Sequence, residues 1–96
     1  MSRVNLVIIW HMHQPQYRDP ATGSYLLPWT RLHALKDYWG MLRVLEEFPR
    51  LHATFNFVPL LAEQIGEYAS GQFKEPWFEI AFAPAASLTP EQKREA

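Results

Sequence analysis

Val4 to Trp10 (VNLVIIW) is apolar at nearly every position and rich in β-branched side chains. That pattern predicts a strand covered on both faces in a parallel sheet. A second run, Leu51 to Val58 (LHATFNFV), carries aromatic and β-branched residues and predicts a second strand. Between them Leu32, Leu35, Trp39, Leu42 and Leu45 recur at three- and four-residue steps, with Arg31, Lys36, Arg43 and Glu46 facing elsewhere. This is an amphipathic helix, for which Thr30 is the expected cap and Pro49 the stop. After strand two, Pro59 suits a first helical position, and Leu61, Ile65 and Tyr68 make an apolar stripe that ends at Ser70 and Gly71.

The predicted order is therefore strand, helix, strand, helix. Parallel strands joined through a helix place the residues that follow each strand on a common rim, where sheets and barrels of this class carry their sites. Between strand one and its helix, His11 to Pro28 is a long connection with three prolines and a glycine, and long connections are often functional. Gln72 to Ser87 is aromatic and alanine-rich without a clean period and is read as loop with a short helix at most. Leu88-Thr89-Pro90-Glu91-Gln92 has the signals of a helix start: Thr89 as cap, Pro90 at the first position and Gln92 closing a capping box. A helix opened so explicitly and followed by so few residues leads us to expect that the chain, residues 1–96, is a fragment rather than a complete domain.

Composition narrows the functions. The 96 residues are 48% hydrophobic and 15% aromatic, unlike a disordered segment. If they formed a compact globule they would expose roughly 5,700 Å². Nine basic and ten acidic residues give a net charge of -1 without a basic run, which argues against nucleic acid and anionic membranes as partners. No cysteine is present, so thiolate metal sites and cysteine nucleophiles are absent, in keeping with a reducing compartment. The start, Met-Ser-Arg-Val-Asn, lacks a signal-peptide pattern, and a cytoplasmic location is expected.

Trp10-His11-Met12-His13-Gln14-Pro15 is the densest chemical signal. Alternate residues at a strand end point the same way, which brings the imidazoles of His11 and His13 together. Such a pair can hydrogen-bond substrate hydroxyls, ligate a metal or serve a structural role. His33 and His52 offer no evident third ligand, and His52 belongs at the opposite end of the sheet. Tyr17, Arg18, Asp19, Tyr25 and Trp29 combine flat apolar faces with hydrogen-bonding tips that suit a sugar, while Tyr25, Leu26, Leu27 and Trp29 can equally pin the loop to the body. Asn56, near the end of strand two, can reach the rim or bond a loop carbonyl. Glycoside cleavage ordinarily needs two carboxyl groups about 5 to 9.5 Å apart. Asp19 is the only acid of the first loop, no acid follows strand two before Glu63, and Asp37, Glu46, Glu47, Glu63 and Glu67 fall on helices, so no such pair is found.

The stretch HMHQPQYRDPATGSYLLPWTRLHALKDYWGMLRVLEEFPRLHATFNFVPLLAEQI resembles the N-terminal part of glycoside hydrolase family 57, with His13-Gln14-Pro15 resembling its first sequence signature. The ordered set of His-x-His-Gln-Pro, Arg-Asp-Pro, Pro-Trp-x-Arg-Leu-His-Ala, Lys-Asp-Tyr and Thr-Phe-Asn-x-x-Pro carries the resemblance over residues 4–70. It implies an α/β fold, the N-terminal βαβα portion of an incomplete (β/α)7 barrel. The implied activity is retaining and directed at α-glucans or maltooligosaccharides, without a cofactor, as in α-amylases, amylopullulanases, 4-α-glucanotransferases and branching enzymes. By the same resemblance His11 and His13 line the substrate-binding floor, and Trp10, Trp29, Arg31, His33 and Asn56 are candidates for the surrounding rim. The family's catalytic Glu and Asp map to no residue of this chain, so the 96 residues alone are expected to be inactive. Two rivals remain at this point: a metal-dependent deacetylase or amidohydrolase using His11 and His13 as ligands, and a non-catalytic βαβα module that binds carbohydrate or protein.

Overall fold

A computed structural model describes residues 2–95. Its elements are β1 (Ile9–Met12), α1 (Trp29–His33), a π-helical segment (Ala34–Tyr38), α2 (Trp39–Glu46), β2 (Thr54–Phe57), α3 (Pro59–Ser70), α4 (Pro76–Phe82), a 3₁₀ turn (Ala85–Ser87) and α5 (Gln92–Glu95). The two strands pair in parallel, with Ile9 opposite Thr54, Trp10 opposite Phe55, His11 opposite Asn56 and Met12 opposite Phe57. The expected strand-helix-strand-helix order is therefore present, and the fold is mixed α/β.

Strand one differs from expectation in place and in cover. It begins at Ile9 instead of Val4, because ladder hydrogen bonds exist only where β2 lies alongside; the flanking bonds run from Thr54 N–H to Ile8 C=O at 3.0 Å and from Val58 N–H to Met12 C=O at 3.3 Å. β2 is likewise shorter than Leu51 to Val58. Since side chains alternate along a strand, Trp10, Met12, Phe55 and Phe57 share one face, and Ile9, His11, Thr54 and Asn56 the other. Only the first face is covered. Met12 joins Tyr38 and Leu61 in the core, with Ala34, Met41, Phe55, Val58 and Ile65 packed around them. On the second face Ile9 is 63% exposed.

The helix from Trp29 to Glu46 also departs from expectation. Thr30 is no cap: it lies inside α1, fully buried, and its hydroxyl bonds Gln64. Tyr38 is buried, with Ala34 and Met41 partly buried against the core, whereas Leu32, Leu35, Trp39 and Leu42 are exposed. Two apolar stripes run along this helix, and the one centred on Tyr38 meets Met12 and Leu61. A π-helical segment, Ala34–Tyr38, lies at the contact; both stripes keep helical spacing and are offset by about one residue, so periodicity alone does not choose between them.

α3 follows its expected pattern, with Pro59 at the start, Leu61 fully buried and Gly71 closing the helix in the left-handed region at φ 73°. The 72–87 stretch contains α4, which opens on Pro76. The capping box forms as read from the sequence: Gln92 N–H donates to Thr89 Oγ1 at 3.2 Å and Thr89 N–H to Gln92 Oε1 at 2.9 Å.

The described chain is extended, with a radius of gyration of 18.2 Å; a compact chain of this length would have about 12 to 13 Å. It exposes 7660 Å², roughly a third more than the compact expectation.

The long connection is pinned to α3 through the Tyr25 phenol, and the Tyr68 phenol ties α3 to the N-cap residue of α4. Tyr25, fully buried, donates to Glu67 at 2.6 Å, and Tyr68 donates to Glu75 at 2.7 Å. Burial, reinforced by these carboxylates, holds both phenols above their ordinary pKa. A phenol whose folded pKa is raised contributes stability that is intact below the unfolded value, about 10, and is lost as pH rises beyond it. Tyrosinate absorbance in an alkaline titration is therefore expected to rise in two stages, the later one coinciding with unfolding, and a Tyr25→Phe/Tyr68→Phe protein should lose the later stage. A second expectation contrasts two glycines of the same helix end. Gly71→Ala should destabilise by about 1 kcal/mol because of its positive φ, whereas Gly66→Ala, within α3 and facing open space, should stabilise by about 0.5 to 1 kcal/mol; urea denaturation measures both.

Candidate functional site

The pairing of β1 with β2 sets His11 directly beside Asn56 on the uncovered face. His11 Nδ1 lies 2.6 Å from Asn56 Oδ1. A carboxamide oxygen only accepts, so Nδ1 of His11 carries the proton and, in the neutral ring, Nε2 is left as an acceptor. His13, two residues on and just past the strand end, projects to the same side. The two imidazole rings are parallel within 10°, with centroids 6.1 Å apart. His11, His13 and Asn56 are all exposed. Of the two alternatives for Asn56, its amide lies on the face of the histidines and bonds the His11 ring, not a loop carbonyl, which fixes the orientation and tautomer of His11.

Two imidazoles and an amide make a surface free of carboxylates that carries hydrogen-bonding groups suited to a polyhydroxylated ligand. Neither strand carries an Asp or Glu. Among the described residues, no group of three or more His, Asp or Glu is arranged to hold a metal ion.

The remaining sequence-predicted residues lie apart from this trio. Trp10 turns to the covered face and packs edge-on against Phe55, centroids 5.0 Å apart. Arg31 is engaged by Glu75 through two bonds, Nε to Oε2 at 3.0 Å and Nη2 to Oε1 at 2.6 Å, and its guanidinium lies over Phe78. The Glu75 side chain is fully buried, so this ion pair braces α1 against α4. Trp29 and His33 form a separate line, 6.4 Å between centroids, which continues to Tyr38 at 6.5 Å; His33 Nδ1 also bonds Asp37.

The loop residues mostly hold the loop itself. Arg18 pairs with Glu63 and Glu67 on α3. Asp19 accepts the Ala21 N–H and the Thr22 hydroxyl, which hold its carboxyl below the ordinary range. Of the four residues proposed to pin the loop, Tyr25 does so, whereas Leu26, Leu27 and Trp29 are exposed at 63, 41 and 45%. His52 lies at the opposite end of the sheet, beside Leu6 to Ile8.

Beneath the histidines Gln14 and Tyr17, both singled out in the sequence, are joined by two residues that sequence reading missed, Tyr38 and Gln64. Tyr38 Oη accepts from Gln14 Nε2 at 2.9 Å and donates to the His13 carbonyl at 3.4 Å. Tyr17 Oη donates to Gln14 Oε1 at 3.0 Å. Gln64 donates to the Pro15 carbonyl at 3.0 Å and accepts from the Tyr17 amide and the Thr30 hydroxyl, each at 3.3 Å. One signal was available: Gln64 is a lone amide on the otherwise apolar stripe of Leu61, Ile65 and Tyr68.

The sequence profile of glycosyl hydrolase family 57 matches residues 7–95, and the chain belongs to that family. No curated protein and no solved structure matches the chain.

The Arg31–Glu75 pair gives a direct check on Arg31 as a structural brace. Arg31→Met should lower stability by about 3 kcal/mol in urea denaturation, since it strands a buried carboxylate, and Arg31→Lys, which cannot form both bonds, should fall between.

Proposed function

We propose that this chain supplies the first two βα units of an incomplete (β/α)7 barrel that cleaves or transfers α-glucans with retention, and that His11 and His13 hydrogen-bond the sugar at the cleavage point. The observation that carries the reading is the trio of His11, His13 and Asn56 on an uncovered sheet face, in a chain of glycosyl hydrolase family 57. In a barrel that face is the inner one, where sites of closed parallel sheets open at the carboxyl ends of the strands.

The reaction requires a nucleophilic carboxylate and a second carboxyl that acts first as acid and then as base. These 96 residues hold no such pair on the sheet, so both acids come from other strands of the barrel. The chain's own contribution is binding and orientation. His11 accepts a sugar hydroxyl proton at Nε2 while Asn56 holds the opposite ring nitrogen, and His13 engages a neighbouring hydroxyl. Trp29 and His33, with exposed ring surface, are placed as flanking contacts; Trp10 and Arg31 act from behind as packing and brace.

The test is turnover of maltooligosaccharides and starch by the protein carrying this chain together with the rest of its barrel, with product configuration followed by NMR. The expected result is release of α-anomeric product, with His13→Ala lowering kcat/KM by about 100-fold at an unchanged unfolding midpoint. No turnover, or release of β-anomeric product, rejects the assignment.

A further inference from the structure

His13 presents a difficulty that its surroundings resolve. Its ring is exposed, and among the described residues it has no hydrogen bond to its imidazole; the parallel ring of His11 is 6.1 Å away. A side chain past the end of a strand and without a partner of its own is oriented only as well as its backbone is held.

The backbone is held from below at successive points. The His13 carbonyl accepts from Tyr38 Oη, the Pro15 carbonyl from Gln64 Nε2, and the Tyr17 amide donates to Gln64 Oε1. Gln14 is tied at both ends of its amide, to Tyr38 and Tyr17. The anchors belong to the buried part of the molecule. Tyr38 is a member of the core with Met12 and Leu61, and Gln64 is 1% exposed, one turn beyond Leu61 on α3. Gln64 is held in turn by the Thr30 hydroxyl, itself fully buried. No buried side-chain polar atom among the described residues lacks a partner, so the network is fully satisfied and has a single low-energy arrangement.

We infer that Tyr38 and Gln64 are positioning residues for the sugar-binding histidine: they clamp the His13–Tyr17 backbone to the core and thereby fix the His13 imidazole beside His11. The inference rests on the function proposed above. Neither residue touches substrate; each acts through the loop.

The test crosses Tyr38→Phe and Gln64→Leu with His13→Ala in the protein carrying the whole barrel, reading kcat/KM on a maltooligosaccharide. Tyr38→Phe keeps its ring in the core and loses only the hydroxyl, so it decides the matter even where Gln64→Leu does not fold. Each single variant is expected to lower kcat/KM by about tenfold, as for a displaced contact, with the unfolding midpoint within a few degrees of the parent. In the His13→Ala background neither should produce a further loss, because the group they position is gone. Purely structural residues would give losses that multiply. Multiplying losses, or an unchanged kcat/KM in Tyr38→Phe, overturn the inference and leave the sugar-binding reading of His13 standing. A His13→Ala protein with full activity overturns both.

Discussion

A parallel pair of strands joined through a helix can bury one of its faces with that helix, but the other face needs cover from elsewhere. In this chain the constraint decides almost everything. Met12 and Phe55 are sealed by Tyr38, Met41, Leu61 and Ile65, and the register that puts Met12 on that side puts His11 and Asn56 on the other. A slip of one residue would exchange the two sets. The core and the candidate site are therefore two consequences of one pairing.

The polar interactions divide along the same line. Behind the sheet, charged and amide groups are buried and paired: Arg31 with Glu75, Gln64 with three partners, Tyr25 with Glu67. Burial makes each of them expensive to break and so gives rigidity. On the open face His11 has one protein partner, and it leaves a ring nitrogen available. Rigidity lies behind the sheet and hydrogen-bonding capacity in front of it.

Much of this was legible in the sequence, for identifiable reasons. The βαβα order, the apolar stripe of α3, the glycine stop at Gly71 and the Thr89–Gln92 capping box follow from local chemistry, and each forms. The His-x-His spacing placed both rings on one side, because alternation along a strand is a property of the backbone. What was not legible depends on partners distant in sequence. Apolarity of Val4 to Trp10 does not say where a ladder begins; β2 does. The outward leucines of the first helix look like a core stripe until the contact with Met12 and Leu61 selects Tyr38. Gln14 and Tyr38, 24 residues apart, and Pro15 and Gln64, 49 apart, reveal their relation only after folding.

If this face lines the site as proposed, imidazoles in place of carboxylates have a physical advantage there. Cleavage of a glycosidic bond depends on two carboxyl groups held in different protonation states, and a further carboxylate nearby would raise the pKa of both. Imidazoles supply hydrogen bonds without adding a negative charge, and an amide orients one of them without adding any. Four acids of the neighbouring elements are paired away from this face: Asp37 with His33, Glu63 and Glu67 with Arg18, Glu75 with Arg31. Under the function proposed above, a sheet face that carries no carboxylate leaves the electrostatics of the reacting centre to its two acids, and the role of these strands is alignment.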